Sequence, residues 1–207
     1  AQLLDAELTD PDHHEYTQII MDESDRLRSL VDRMLGSNKM LKLCETNIHE
    51  ILERICTLIH AESAGKVKII RDYDPSIPEF LGDKGQLIQA FLNMAKNALQ
   101  ALSEQVNEGK EGIITLRTRA LRQFTIGHSR HRLVLNVEIM DNGPGIPKEA
   151  IQNIFYPMIS GRPDGTGLGL SITQSILTKH DGLVECESKP GETKFIVYLP
   201  LEQKNGL

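Results

Sequence analysis

Apolar positions along this chain switch period several times, from helical steps of three and four to strand-like alternation and back. Leu3, Leu4 and Leu8 give residues 1–8 the character of a helix tail, and Asp10 caps a new helix whose first position is Pro11, where the missing N–H is harmless. Along that helix Tyr16, Ile20, Leu27, Leu30 and Met34 follow alternating steps of four and three, interrupted at Glu23 and flanked by Asp25, Arg26, Arg28 and Asp32. The pattern predicts a helical hairpin projecting from the main domain and a homodimer formed through residues 12–36. Gly36-Ser37-Asn38-Lys39 closes the helix, and residues 37–46 read as a linker.

Asn47, followed by Glu50, forms a capping-box signature for a helix over 48–62. Lys66 to Tyr73 alternates as a strand does, and Asp74-Pro75 with Pro78 makes a turn. Asp83 with Gln86 is a second capping box, opening the longest helix, whose buried face is Leu87, Ile88, Phe91, Leu92, Ala95, Ala98, Leu99 and Leu102. Ile113–Leu121 and Leu133–Met140 predict strands joined by a polar loop containing His128 and His131. A helix follows from about Leu168 to His180, then strands near Leu183–Glu187 and Lys194–Leu199 across the turn Lys189-Pro190-Gly191-Glu192. This mixed order predicts an α+β two-layer sandwich over 46–203, preceded by the helical part over 1–45 and followed by a tail over 204–207.

A formal charge of -6 argues against nucleic-acid or anionic-membrane binding, which draw on surplus Lys and Arg. No stretch reaches the roughly twenty apolar residues that span a bilayer. Cys44, Cys56 and Cys186 are far apart and in no C-x-x-C arrangement, which predicts reduced, buried thiols and a cytoplasmic protein. A first residue other than Met suggests a processed chain or part of a longer one.

Chemistry concentrates in two glycine-rich runs. In Asp141-Asn142-Gly143-Pro144-Gly145 a carboxylate follows a predicted strand, where it can accept from an exocyclic amino group while glycines let a planar base approach. Taken alone, an Asx-type turn explains that run better. In the second run Gly165, Gly167 and Gly169 alternate before a predicted helix, whose first N–H groups suit a triphosphate. Leu170 stands where a dinucleotide fingerprint needs glycine, and no Gly-Lys-Ser/Thr occurs, so neither familiar phosphate loop fits. Asn93 and Asn97, one turn apart in the longest helix with Lys96 beside them, are either a solvated face or a cation and phosphate site, since an amide oxygen suits Mg2+.

Together with Phe155-Tyr156-Pro157-Met158, these runs resemble, in order, the N, G1, F and G2 boxes of the Bergerat-type ATP-binding domain shared by the GHKL group. Arg26–Arg33, Arg71–Pro75, Phe155–Arg162 and Val197–Pro200 extend the resemblance across essentially the whole chain, to the sensor histidine kinases of nitrogen regulation. The resemblance implies Mg-ATP as cofactor, with Asn97 as magnesium ligand, Asn93 and Lys96 on the phosphate side and Asp141 on the adenine amino group. Gly143 and Gly145 would shape the base pocket. Gly165, Thr166, Gly167, Leu168 and Gly169 would meet the phosphates from a lid positioned by Phe155 and Tyr156, with Arg162 as a further contact.

The same resemblance implies γ-phosphate transfer to a histidine and thence to the response regulator NtrC, a regulated phosphatase activity and control by a PII signalling protein. The family's phosphoacceptor motif, H-E-x-x-N-P, is absent, so this chain alone is expected not to autophosphorylate. His49-Glu50 lacks the Asn-Pro and reads as the first turn of a capped helix, while His13, His14, His60, His128, His131 and His180 match no ligand spacing. Within the GHKL group an ATPase would need a carboxylate near the helix asparagine. Gln89 stands one turn before Asn93, and residues 84–103 contain none. An anti-sigma kinase would lack the helical hairpin, and a non-catalytic interaction module would lack affinity for Mg-ATP.

Overall fold

The computed structural model describes residues 40–159 and 166–201, so the expected hairpin up to residue 39 and its dimer stripe lie outside the described residues. Leu41–Leu207 forms a compact unit of its own. Its elements in chain order are β1 (Cys44–Thr46), α1 (Ile48–Glu62), β2 (Val67–Asp72), β3 (Phe80–Gly82), α2 (Lys84–Asn107), β4 (Gly112–Ile126), β5 (Ser129–Asp141), α3 (Lys148–Ile151), α4 (Gly169–Lys179), β6 (Leu183–Lys189) and β7 (Glu192–Pro200).

Five strands form one sheet in the order β2-β4-β5-β7-β6, in which only β2 and β4 run parallel. Alternation puts Ile114 and Leu116, Leu135, Val137 and Ile139, Phe195, Val197 and Leu199 on one face, and these merge into a single core with Ile51, Leu52 and Ile55 of α1, Leu87, Phe91 and Met94 of α2 and Leu177 of α4. Burial of that face against the helices is the main drive for the fold. The result is the expected sandwich, a sheet layer and a helix layer.

Some local expectations need correction. Residues 44–46 were expected as linker, yet β1 pairs antiparallel with β3 inside the domain, Cys44 opposite Gly82. Both strands span three residues, too short for periodicity to show. The β4–β5 hairpin runs on through the polar residues assigned to a loop. It turns at Gly127-His128, with Phe124 opposite His131 and its ring stacked on Tyr198 at 4.7 Å. Cross-strand stacking, not alternation, supports that extension. Cys44 is exposed rather than buried, while Cys56 is buried and Cys186 half-buried.

Neither capping box closes. Asn47 Oδ1 accepts the His49 N–H at 2.9 Å, but Glu50 pairs with Lys84 at 2.7 Å instead of reaching back. His49 is structural, as its place in the first turn predicts. Its ring stacks on Tyr73 at 5.0 Å, Nε2 lies 3.1 Å from Thr118 Oγ1, and burial holds its pKa below the ordinary histidine value.

Candidate functional site

Asp141 ends β5, opposite Ile114 and Thr193, and shares the helix-facing side of the strand with Leu135, Val137 and Ile139. It is only 4% exposed. Gly143 N–H donates to Oδ1 at 2.9 Å and is its only protein donor among the described residues. Burial pushes the carboxyl up to about 6, with the Gly143 N–H pulling the other way. A buried carboxylate with spare acceptor capacity is costly unless something else binds it.

The loop beyond Asp141 is held on three sides. Asn142 Oδ1 accepts the Ile113 N–H at 2.8 Å and its Nδ2 donates to Glu111 O at 2.9 Å, tying the loop to β4. Gly143 O accepts the Gly191 N–H at 2.9 Å, and Ile146 N–H donates to Ser188 Oγ at 2.8 Å. Ser188 Oγ in turn lies 2.9 Å from Thr193 Oγ1. A Cβ on Gly143 would stand 2.7 Å from Asp141 Oδ1, and one on Gly145, whose φ is +88°, would stand 2.7 Å from Lys189 O. Thr193, buried and directly opposite Asp141, and its partner Ser188 are site-shaping residues that sequence reasoning missed. Only the strand register, which places Thr193 against the Asp141 of the glycine motif, would have shown them.

On the other side stands α2. Asn93, Asn97 and Ala101 form one row along its flank, spaced by helical turns. Asn93 Nδ2 donates to Gly169 O at 2.9 Å, and Ala101 Cβ lies 3.3 Å from where a Gly143 Cβ would be. The row therefore meets the second glycine run at one end and the first at the other. Asn97 lies between them, half-buried, its side chain without a hydrogen-bond partner among the described residues. Lys96 sits about 100° from Asn97 and about 60° from Asn93 round the helix, and its Nζ pairs with Glu62 at 3.0 Å rather than with this row.

Gly167 packs against Met158. Its φ is +63°, its carbonyl accepts the Met158 N–H at 3.0 Å, and a Cβ there would strike the Met158 carbonyl carbon at 2.6 Å. Leu168, at the N-cap of α4, is buried and caps the helix with no side chain, so an anion could take the first N–H groups. Thr166 is half-buried, Phe155 packs on the core, and Tyr156 is exposed. Arg162 and Gly165 lie outside the described residues.

Residues 82–203 match the sequence model of the histidine kinase-, DNA gyrase B-, and HSP90-like ATPases. The chain belongs to that family. ATP is thus the nucleotide of this ATPase-family domain. The chain is 51% identical over 201 residues to the sensory histidine kinase/phosphatase NtrB of Vibrio alginolyticus, covering 97% of this chain and 56% of that protein. It is 47% identical to NtrB of Klebsiella oxytoca, over 98% of this chain and 57% of the relative. The chain thus spans little more than half the length of these curated relatives. Among solved structures, full-length ShkA in complex with AMPPNP superimposes with a TM-score of 0.71 at 23% identity, over 95% of this chain and 40% of that one. ThkA in complex with the response regulator TrrA gives 0.68 at 23% identity, over 97% and 55%. Both show the ATPase-family fold. No helix among the described residues is long and apolar enough to cross a membrane.

Proposed function

We propose that the chain is the catalytic ATP-binding part of a cytoplasmic nitrogen-regulation sensor histidine kinase, which passes the ATP γ-phosphate to a histidine outside this sequence and thence to the response regulator NtrC. Regulated phosphatase activity, control by a PII protein and a homodimer through residues 12–36 belong to the same reading. The observation that carries it is the buried Asp141 carboxylate, with one donor among the described residues, facing a helix flank that offers Asn97 between two glycine loops. The similarity to NtrB supports the kinase branch of the family. So does the lack of a carboxylate over residues 84–103, which leaves none within two turns of Asn93 on α2 to activate water for hydrolysis.

In this reading Asp141 accepts the adenine amino group, and Gly143 and Gly145 leave room for the ring. The N–H groups opening α4 bind phosphate, and Asn93 holds that helix start at its distance from α2. Asn97 would hold Mg2+ through its amide oxygen, a hard ligand without a competing partner among the described residues. Held there, Mg2+ would supply charge neutralisation to the phosphates, the usual means by which phosphoryl transfer is accelerated. Asn97→Ala is expected to reduce the gain in ATP affinity that magnesium gives, while affinity for metal-free ATP stays within about twofold, since metal-free binding makes no use of this ligand. Calorimetric titrations with and without Mg2+ check this, and an unchanged metal dependence would remove Asn97 from the site.

The kinase reading is tested by labelling in trans. Incubated alone with labelled Mg-ATP, the chain is expected to acquire no phosphohistidine. Mixed with a longer form of the protein that carries the acceptor histidine and a disabled ATP site, it is expected to label that histidine. Acid-labile phosphate on His13 or His49 of the isolated chain would contradict the assignment, as would an unlabelled acceptor when ATP is bound.

A further inference from the structure

Asp83 precedes the first residue of α2, and His180 follows the last residue of α4. Although 97 residues apart, they are bonded: the Asp83 N–H donates to His180 Nε2 at 3.0 Å. His180 Nδ1 lies 2.8 Å from Ile176 O, one turn back. A carbonyl can only accept, so Nδ1 carries the proton and Nε2 is left as the acceptor.

In a closed capping box the Gln86 side chain would satisfy the Asp83 N–H. Here Gln86 turns instead to the carboxylate, its Nε2 3.2 Å from Oδ2, and its Oε1 is the one buried side-chain nitrogen or oxygen without a hydrogen-bond partner among the described residues. The box therefore leaves the Asp83 N–H to His180. Asp83 itself is fixed, since Oδ1 accepts the Gln86 N–H at 3.0 Å and Oδ2 the Lys42 N–H at 2.9 Å.

The two helices run antiparallel, and α4 is bonded to the first half of α2 at both of its own ends. At the far end, roughly 15 Å away at the rise of an α-helix, Asn93 Nδ2 bonds Gly169 O and Thr173 Oγ1 lies 3.3 Å from Ala90 O. That end carries Asn97 and the glycines that open α4. The separation of the two helices there is the separation of the magnesium ligand from the phosphate-facing N–H groups. A rigid α4, held to α2 at one end by His180 and at the other by Asn93, has little freedom to swing away.

We propose that His180 is a positioning residue of the ATP site: by accepting the Asp83 N–H it holds α4 at the spacing from α2 at which the start of α4 and Asn97 face the same triphosphate. The inference rests on the ATP reading given above. His180→Gln keeps an acceptor at the same reach, whereas His180→Leu keeps bulk and loses it.

Mg-ATP is titrated calorimetrically into the wild-type chain and both variants, below the melting temperature of each. The wild type is expected to bind, His180→Gln to bind within about twofold of it and His180→Leu about fivefold or more weakly, one uncharged hydrogen bond being lost. If His180→Leu does not fold, His180→Phe replaces it, as a ring without an acceptor. Wild-type affinity in the variant without an acceptor would overturn the inference. Equal loss in both variants would also overturn it, because ring packing alone would then account for the effect. A wild-type chain that does not bind Mg-ATP would instead overturn the functional reading beneath it.

Discussion

Asp141→Asn is expected to weaken Mg-ATP binding by about 10- to 100-fold at neutral pH, the equivalent of one charge-assisted hydrogen bond of roughly 1.5–3 kcal/mol. The substitution preserves the side chain's shape but replaces a charged acceptor by an amide. Its effect on the unliganded fold should have the opposite sign. Burial raises the Asp141 pKa from the ordinary 3.8 to about 6 in the folded chain. A group raised on folding contributes stability that is complete below its unfolded pKa and lost as pH rises through its folded one. Between about pH 4 and pH 6 the unliganded wild type should therefore lose stability through this group, and Asp141→Asn should not.

ATP affinity should rise across the same interval in the wild type, because the ionised carboxylate is the stronger acceptor. Titration of the nucleotide's own phosphates is common to both proteins, so the difference between their profiles isolates Asp141. Melting curves and calorimetric titrations over that range supply both readouts. Parallel profiles for wild type and variant would detach Asp141 from the base.

Gly145→Ala is expected to destabilise the chain by about 2–4 kcal/mol, combining strain at a left-handed backbone with overpacking. The φ of +88° is unfavourable for alanine, and the added Cβ would lie 2.7 Å from Lys189 O and 2.8 Å from its carbonyl carbon. Backbone atoms cannot swing aside as a side chain can. The loop would have to part from the β6–β7 turn, pulling on the Gly143 carbonyl's bond to the Gly191 N–H and the Ile146 bond to Ser188. Melting temperature should fall by roughly 5–15 °C, and ATP binding should weaken even in the fraction that remains folded. A variant that melts within a degree or two of the wild type would show that the loop is not braced against that turn.

The long elements were legible because their period is sustained over many residues. The helix predicted over 48–62 matches Ile48–Glu62, and the buried face predicted for the longest helix includes Leu87, Phe91, Ala95, Ala98 and Leu102, all buried in the structure. What escaped was set by partners distant in sequence. β1 and β3 are strands only because they pair with each other, and the β4–β5 extension depends on the Phe124–Tyr198 stack. At the site, the glycine runs and helix asparagines announced themselves through residue types that are poorly suited to their positions unless a ligand explains them. Thr193 and Ser188 are ordinary strand residues, and nothing but the register brings them to Asp141. Lys96 shows the converse limit. Adjacency to Asn97 in sequence is about 100° of rotation on a helix, enough to hand its ammonium to Glu62.

In the proposed mode Asp141 selects ATP by presenting its carboxylate to the base's exocyclic amino group. Calorimetric titration of the wild-type chain with Mg-ATP and, separately, with Mg-GTP tests it most directly. Guanine presents a carbonyl oxygen where adenine has its amino group, so Asp141 should repel it. Saturable, one-to-one binding of Mg-ATP, at least about tenfold tighter than Mg-GTP by the loss of that one charged hydrogen bond, is the predicted result. No heat with either nucleotide, or equal affinity for both, would contradict it.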